Sequence, residues 1–165
     1  MARDSVDSIE RAWRRERPDV DSSSIGVITR IWCLARHLER ARAETLEALG
    51  TDASTLDALA TLRRAGAPYR LTAGELHRRS LVTAGAISQR LDKLEAGGLV
   101  RRTRDRRDRR VVHVNLTRRG RKLVDTVFIG IMQQEQAVLA PLTAAERATV
   151  TRLLRRWLHW FEAHA

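Results

Sequence analysis

Apolar residues recur at three- and four-residue steps through most of the chain. From Ile25 to Leu49 the positions Ile28, Ile31, Trp32, Ala35, Leu38, Ala41 and Leu46 form one stripe. That spacing predicts a long amphipathic helix, with Gly50 as its stop. Val6 to Arg17 predicts a shorter helix that ends near Pro18, because the residue before a proline avoids the α region. Asp19 to Ser24 is a polar turn with several candidate N-caps. Asp52 to Ala65 returns to helical spacing with Leu56, Leu59 and Leu62, and Gly66 follows it. Thr72-Ala-Gly-Glu75 is a capping box that opens a short helix with Leu76 inward. Leu81 and Val82 then form a turn, and Thr83 can cap a helix running to Ala96, with Ile87, Leu91 and Leu94 on one face. Gly97-Gly98 stops it.

After Gly98 the period changes from helical to two. Leu99 to Thr103 reads as a strand. Val112, Val114 and Leu116 alternate with His113 and Asn115 in a second one. Thr117 opens another helix through Leu123, Val127, Ile131 and Val138, interrupted at Pro141. A second capping box, Thr143-Ala-Ala-Glu146, opens the last helix, with Val150, Leu153, Leu154, Trp157, Leu158 and Phe161. Helix, tight turn, helix and hairpin in this order make a winged helix-turn-helix, so the expected class is mainly α with a small β-hairpin wing. We divide the chain into an arm with dimerisation helices (1–50), a DNA-binding lobe (51–117) and C-terminal dimerisation helices (118–165). The terminal helices lie outside the lobe, and their apolar faces need a cover. A second copy supplies one; packing within one chain is the alternative.

Charge adds what periodicity cannot. The chain carries a formal +11, and 29 of its 31 basic residues are arginine. The 24 residues from Leu99 to Lys122 hold +9 of that excess. A basic segment on an otherwise balanced chain is the footprint of a polyanion binder, here double-stranded DNA. Codon bias explains arginine over lysine, but not the clustering.

The helix from Thr83 presents Ala84, Gly85, Ser88, Gln89, Asp92 and Lys93 on the face opposite its leucines. Thr83 and the first-turn amides suit a phosphate. Ser88 and Gln89 suit base edges, since glutamine pairs bidentately with adenine. Ala84 and Gly85 allow close approach, and Ala84 fits a thymine methyl. The hairpin tip, Arg104 to Arg110, has five arginines and two aspartates in seven residues. Arginine there suits the narrow minor groove, where negative potential is focused. Arg107 and Arg109 are the expected contacts. Asp105 and Asp108 are expected to brace neighbouring guanidinium groups by bidentate pairing, Asp108 positioning Arg107 or Arg109. Arg118, Arg119 and Arg121 are expected at phosphates.

Leu71-Thr-Ala-Gly-Glu-Leu76, Thr83-Ala-Gly-Ala-Ile-Ser88, Leu94-Glu-Ala-Gly-Gly-Leu-Val100, Asp105-Arg-Arg-Asp-Arg-Arg110 and Leu116-Thr-Arg-Arg-Gly120 resemble the MarR family of bacterial regulators over about residues 25–163. The resemblance implies a homodimer joined by its terminal helices, a pseudo-palindromic operator, repression as the usual outcome, and a small-molecule pocket beside each DNA-binding lobe. The extra N-terminal helix is similar to the arm of the urate-responsive branch. That branch has an arm tryptophan, an aspartate and an arginine seven residues apart on the helix before the helix-turn-helix, and an arginine on the recognition helix. Trp13, Asp57, Arg64 and Arg90 stand at those places. The resemblance implies that tryptophan and arginine hold an anionic or aromatic effector, such as urate or a related metabolite, and that its charge repels the aspartate. Structural roles stay open: Trp13 as an anchor for the arm, Asp57 and Arg90 as an ion pair.

Two alternatives belong to other classes: an architectural DNA binder without a ligand, and a peroxide sensor using the single cysteine, Cys33. Cys33 sits beside Trp32 on an apolar helix, where a buried small hydrophobe is the commoner fate. No phosphate loop, nucleophile elbow or metal-ligand spacing is present, so neither an enzyme nor a cofactor is expected. His37, His77, His113, His159 and His164 read as surface residues. No apolar run approaches the roughly 18 residues of a membrane span, and the first residues lack an apolar signal core; a cytoplasmic protein without a membrane partner is expected.

Overall fold

The computed structural model of the chain describes residues 3–80 and 87–164, with the backbone alone at 87 and 88. Within these residues lie helices α1 (Ser5–Glu16), α2 (Ile25–Ala48), α3 (Ala53–Arg64), α4 (Ala73–Arg79), α5 (Ile87–Ala96), α6 (Arg118–Val138) and α7 (Ala144–Ala163). Strands β1 (Arg70–Thr72), β2 (Val100–Arg104) and β3 (Val112–Leu116) form one antiparallel sheet in the order β1-β3-β2. The expected helices and hairpin are present among the described residues, with bounds that move by a residue or two, except that the helix expected from Thr83 is described only from Ile87. The expected Thr83 cap and the Leu81-Val82 turn lie outside the described residues. The chain divides into two compact units, Met1–Glu44 and Thr45–Ala165.

In the first unit Asp4 caps α1, accepting from the amides of Val6 (2.9 Å) and Asp7 (3.2 Å). Arg30 of α2 reaches back to Asp4 (2.8 Å) and Asp7 (2.7 Å) and donates to the Gly26 carbonyl (2.7 Å). One guanidinium thus ties α2 to the first turn of α1, where carboxylates also favour the helix N-terminus. The stripe on α2 is not a buried core in one chain: Ile28, Ile31 and Leu38 are exposed, and Trp32 is 71% exposed.

The second unit holds the main core. Leu59, Leu62, Leu76, Val100, Val114 and Val127 are fully buried, each contributing about 1.5–3 kcal/mol by leaving water. Leu91 and Leu94 bring α5 into the same cluster. In contrast, α7 buries none of its residues. Leu153, Leu154, Leu158, Trp160 and Phe161 all stand exposed.

Among the described residues, the one element not foreseen is β1. It pairs Leu71 with Val114 and Thr72 with His113, so β3 becomes the central strand. Three residues are too few to show a period of two. They follow a tight turn in which Gly66 (φ 78°) and Tyr69 (φ 59°) are left-handed. The Tyr69 ring lies under two guanidinium groups, with Arg63 at 4.9 Å and Arg121 at 5.6 Å from its centroid.

Candidate nucleic-acid interface

The helix-turn-helix begins with α4. Thr72 caps it, its hydroxyl accepting from the Glu75 amide, while the Glu75 carboxylate accepts from the Thr72 amide at 2.8 Å. The Thr72 amide, and after it the Thr72 hydroxyl donating at 2.9 Å, hold the Glu75 carboxyl below its usual range. Thr83, Ala84 and Gly85 lie outside the described residues, as do the side chains of Ile87 and Ser88. Leu91 and Leu94 are buried, as expected, and Gln89, Asp92 and Lys93 are exposed on α5. The face expected to read bases is thus in solvent over its described length.

A residue absent from our sequence reading joins this helix to the hairpin. Arg102, on β2, donates from Nε to Glu95 at 2.7 Å and pairs with Asp92 at 2.7 Å, while its own amide donates to Glu95 at 2.8 Å. The amide and the guanidinium together hold the Glu95 carboxyl below its usual range. The recognition helix and the wing are therefore clamped as one body. Asp92 and Glu95, three residues apart and so on one helical face, are the signal that could have identified the clamp.

Arg104 pairs with Val112 at the end of the hairpin, and the Asp105 amide donates to the Val111 carbonyl (2.9 Å) to close the tip. Arg106, Arg107, Arg109 and Arg110 are exposed beyond it. The two aspartates act differently from expectation. Among the described residues Asp105 braces no guanidinium: it accepts the amides of Arg107 (2.8 Å) and Asp108 (3.2 Å) and faces His113 Nε2 at 2.9 Å. The His113 contact, followed by those two amides, holds the Asp105 carboxyl at about 2. Asp108 accepts from the amide (2.9 Å) and Nε (3.3 Å) of Arg110, not from Arg107 or Arg109. A loop this short satisfies its own backbone amides first, because those donors have no ladder partner. His113 is likewise not an ordinary surface residue; its side chain is 17% exposed.

The expected effector residues fall in both units. Trp13 is 52% exposed and, with Arg17, Val20, Asp21, Ser22, Ser24 and Ile25, lines an open hollow of about 290 Å³ within the first unit. Arg17 is held bidentately by Asp19 (2.8 and 2.7 Å). In the second unit Asp57 is half-buried and Arg64 exposed on α3, where Arg64 donates to the Thr61 hydroxyl at 3.1 Å; Arg90 is half-buried on α5. Cys33 is half-buried, with an Arg36 nitrogen 4.0 Å from its sulfur. No helix among the described residues is long and apolar enough to cross a membrane.

Comparison with known proteins bears on this geometry. A sequence profile of the MarR family matches residues 49–111. The HTH-type transcriptional regulator PecS of Dickeya dadantii is 32% identical over 151 residues, covering 92% of this chain and 91% of its own. A crystal structure of an Escherichia coli MarR variant complexed with operator DNA superposes with a TM-score of 0.68 at 27% identity, over 84% of this chain and 99% of that one. The YusO protein of Bacillus subtilis has the same fold, with a TM-score of 0.69 at 24% identity over 85% of this chain and 97% of its own.

Proposed function

The chain belongs to the MarR family of winged helix-turn-helix transcriptional regulators, and from that premise we propose that it is an operator-binding homodimer, acting as a repressor, which a small effector releases. The observation that carries the reading is the wing. Four arginines stand exposed at its tip, and Arg102 fixes that hairpin to the recognition helix. In this reading the two copies of α5 enter successive major grooves about 34 Å apart. Thr83 and the first-turn amides meet a phosphate, Ala84, Gly85, Ser88, Gln89 and Lys93 face base edges and backbone, and Arg107 and Arg109 enter the flanking minor grooves. Asp108 shapes the tip through Arg110. Segments 1–50 and 118–165 carry the dimer contacts: the stripe on α2 and the exposed leucine and aromatic face of α7 each offer an apolar face for a second copy to cover. Segment 51–117 is the lobe that binds DNA.

The test is a titration of labelled duplex from the gene's own upstream region across a range of salt. Arg107→Ala and Arg109→Ala are each expected to weaken binding and to flatten the plot of log K against log salt by about one unit, the counterion displaced by one DNA-bound guanidinium. Binding and slope unchanged in both variants would remove the wing from the interface.

Effector release rests on narrower support: the hollow beside Trp13, and the types and spacing of Asp57, Arg64 and Arg90. Because Asp19 already neutralises Arg17, the hollow itself favours an aromatic ring stacked on Trp13 over a bare anion. A ligand releases DNA only through its different affinities for the two forms of the protein. Trp13→Ala is expected to preserve DNA binding and to blunt release by urate or a related purine. Full release in that variant would overturn the assignment.

A further inference from the structure

We propose that His113 is a positioning residue for DNA binding, setting the shape of the wing tip through Asp105. The proposal rests on the reading that the tip arginines touch DNA. The two oxygens of the Asp105 carboxylate have separate tasks. Oδ1 accepts the amides of Arg107 and Asp108 and so folds the tip; Oδ2 faces His113 Nε2 at 2.9 Å. A carboxylate only accepts, so Nε2 carries the hydrogen, whatever the charge on the ring. The backbone of His113 lies on the central strand, in register with Thr103 on one side and Thr72 on the other. It therefore cannot follow the tip as the tip moves.

The contact is also sheltered. His113 and Asp105 side chains are 17% and 34% exposed, against 94% for Arg110. A hydrogen bond to a charged group in such a place is stronger than the same bond in open water. A carboxylate at the base of a free loop would exchange among its rotamers and release the two amides. Anchored on the imidazole, it holds Oδ1 toward them. The line of contact runs from the central strand to His113, to Asp105, and on to the backbone that carries Arg107 and Arg109. Ordering the tip before DNA arrives removes part of the entropy cost of binding. Nothing in this chain of contacts requires His113 to touch DNA.

The test uses the full-length protein and a labelled duplex that the wild-type protein has selected from random-sequence DNA. His113→Leu fills the space but removes the donor, and is expected to weaken binding about tenfold, the value of one charge-assisted hydrogen bond. His113→Gln places an amide nitrogen near the position of Nε2 and should restore binding. His113→Asn, one methylene shorter, should not. Because the effect passes through Asp105, His113→Leu should cost nothing further in an Asp105→Ala background. Circular dichroism and sedimentation of each variant separate a loosened tip from a lost fold; if His113→Leu does not fold, the comparison of Gln with Asn decides. Wild-type affinity in His113→Leu, no recovery in His113→Gln, or a full additional loss in the Asp105→Ala background would each overturn the proposal. The Arg107→Ala/Arg109→Ala double variant, titrated beside them, separates the two readings. If it binds like wild type, the wing reading and this proposal both fall. If it binds weakly while His113→Leu does not, only the positioning role falls.

Discussion

Replacing Gly120 with alanine tests the joint between the wing and the helices behind it. Gly120 is buried in the first turn of α6, and a methyl group there would meet the Leu99 carbonyl oxygen at 2.0 Å, its carbon at 2.9 Å and Leu116 Cδ1 at 2.9 Å. Two of these three atoms are backbone, which cannot swing aside, so the helix end must retreat by roughly 1 Å to restore contact distances. The same Leu99 oxygen accepts from the Thr117 amide (3.1 Å) and hydroxyl (3.0 Å). A retreat on that scale breaks or lengthens both bonds. Overpacking costs about 1–3 kcal/mol, and each lost hydrogen bond about 0.5–1.5 kcal/mol. The helix propensity of alanine offsets at most about 1 kcal/mol. The expected loss is about 1–5 kcal/mol, or roughly 2–20 °C in Tm. Gly130→Ala is the control: its methyl meets Leu49 Cδ1 at 2.8 Å, the far end of a flexible side chain, and it should be close to neutral. Thermal and urea unfolding followed by circular dichroism, at equal protomer concentration, makes the comparison. A Gly120→Ala protein as stable as Gly130→Ala would refute the reasoning. Leu99 also links α5 to β2, so any folded Gly120→Ala protein should bind DNA more weakly.

Arg102→Met keeps the side-chain stem and leaves Asp92 and Glu95 without their cation. All three side chains are partly exposed, so stability should change by no more than about 1 kcal/mol, while DNA affinity should fall as two bare carboxylates face the phosphates; unchanged affinity would show that the clamp is dispensable. In the same variant the Glu95 carboxyl should rise only part of the way towards its ordinary range, read by NMR titration, because the amide of residue 102 still donates to it. Asp52 caps α3, and although burial pushes its carboxyl up, hydrogen bonds from Ser54 and Thr55 outweigh this and hold it at about 2. A depressed carboxyl stabilises the fold above its unfolded value and loses that contribution as pH falls through its folded one. Asp52→Ala should therefore cost about 1 kcal/mol near neutrality, and its deficit against wild type, measured by urea unfolding, should shrink between about pH 4 and pH 2. A deficit constant with pH would mean that the cap does not act through its charge.

The helices and the hairpin were legible because each carries its own local signal: a stripe at helical spacing, a capping box, a glycine stop, an alternation. Leu59, Leu62, Leu91 and Leu94 could be assigned to the core from spacing alone, and they are buried. What the sequence concealed depends on contacts between elements. Nothing near Arg70 marks a third strand, because β1 exists only through pairing with β3. Arg102 looked like one basic residue among many, and its role appears only once β2 lies beside α5. The α2 stripe was legible as apolar, but the chain alone does not bury it. Amphipathic spacing reports that a face wants cover and says nothing of which chain supplies it.

The wing shows the same limit at the scale of seven residues. From composition, two aspartates among five arginines suggest salt bridges, since opposite charges attract at any spacing. The tip has a stronger demand to meet. Its backbone amides stand outside the β-ladder, and an unpaired amide costs more than an exposed ion pair returns. Asp105 therefore goes to amides, and Asp108 shares itself between the amide and the guanidinium of Arg110. The consequence for function follows directly. With no described ion pair at their side chains, Arg107 and Arg109 project from a loop whose acids are already engaged in shaping it. Folding the tip and neutralising DNA are then separate tasks on separate residues. Removing an acid should disorder the wing and weaken DNA binding, although it makes the protein more positive. Simple charge counting predicts the opposite sign for Asp105→Ala, and an affinity measurement on that one variant decides between the two.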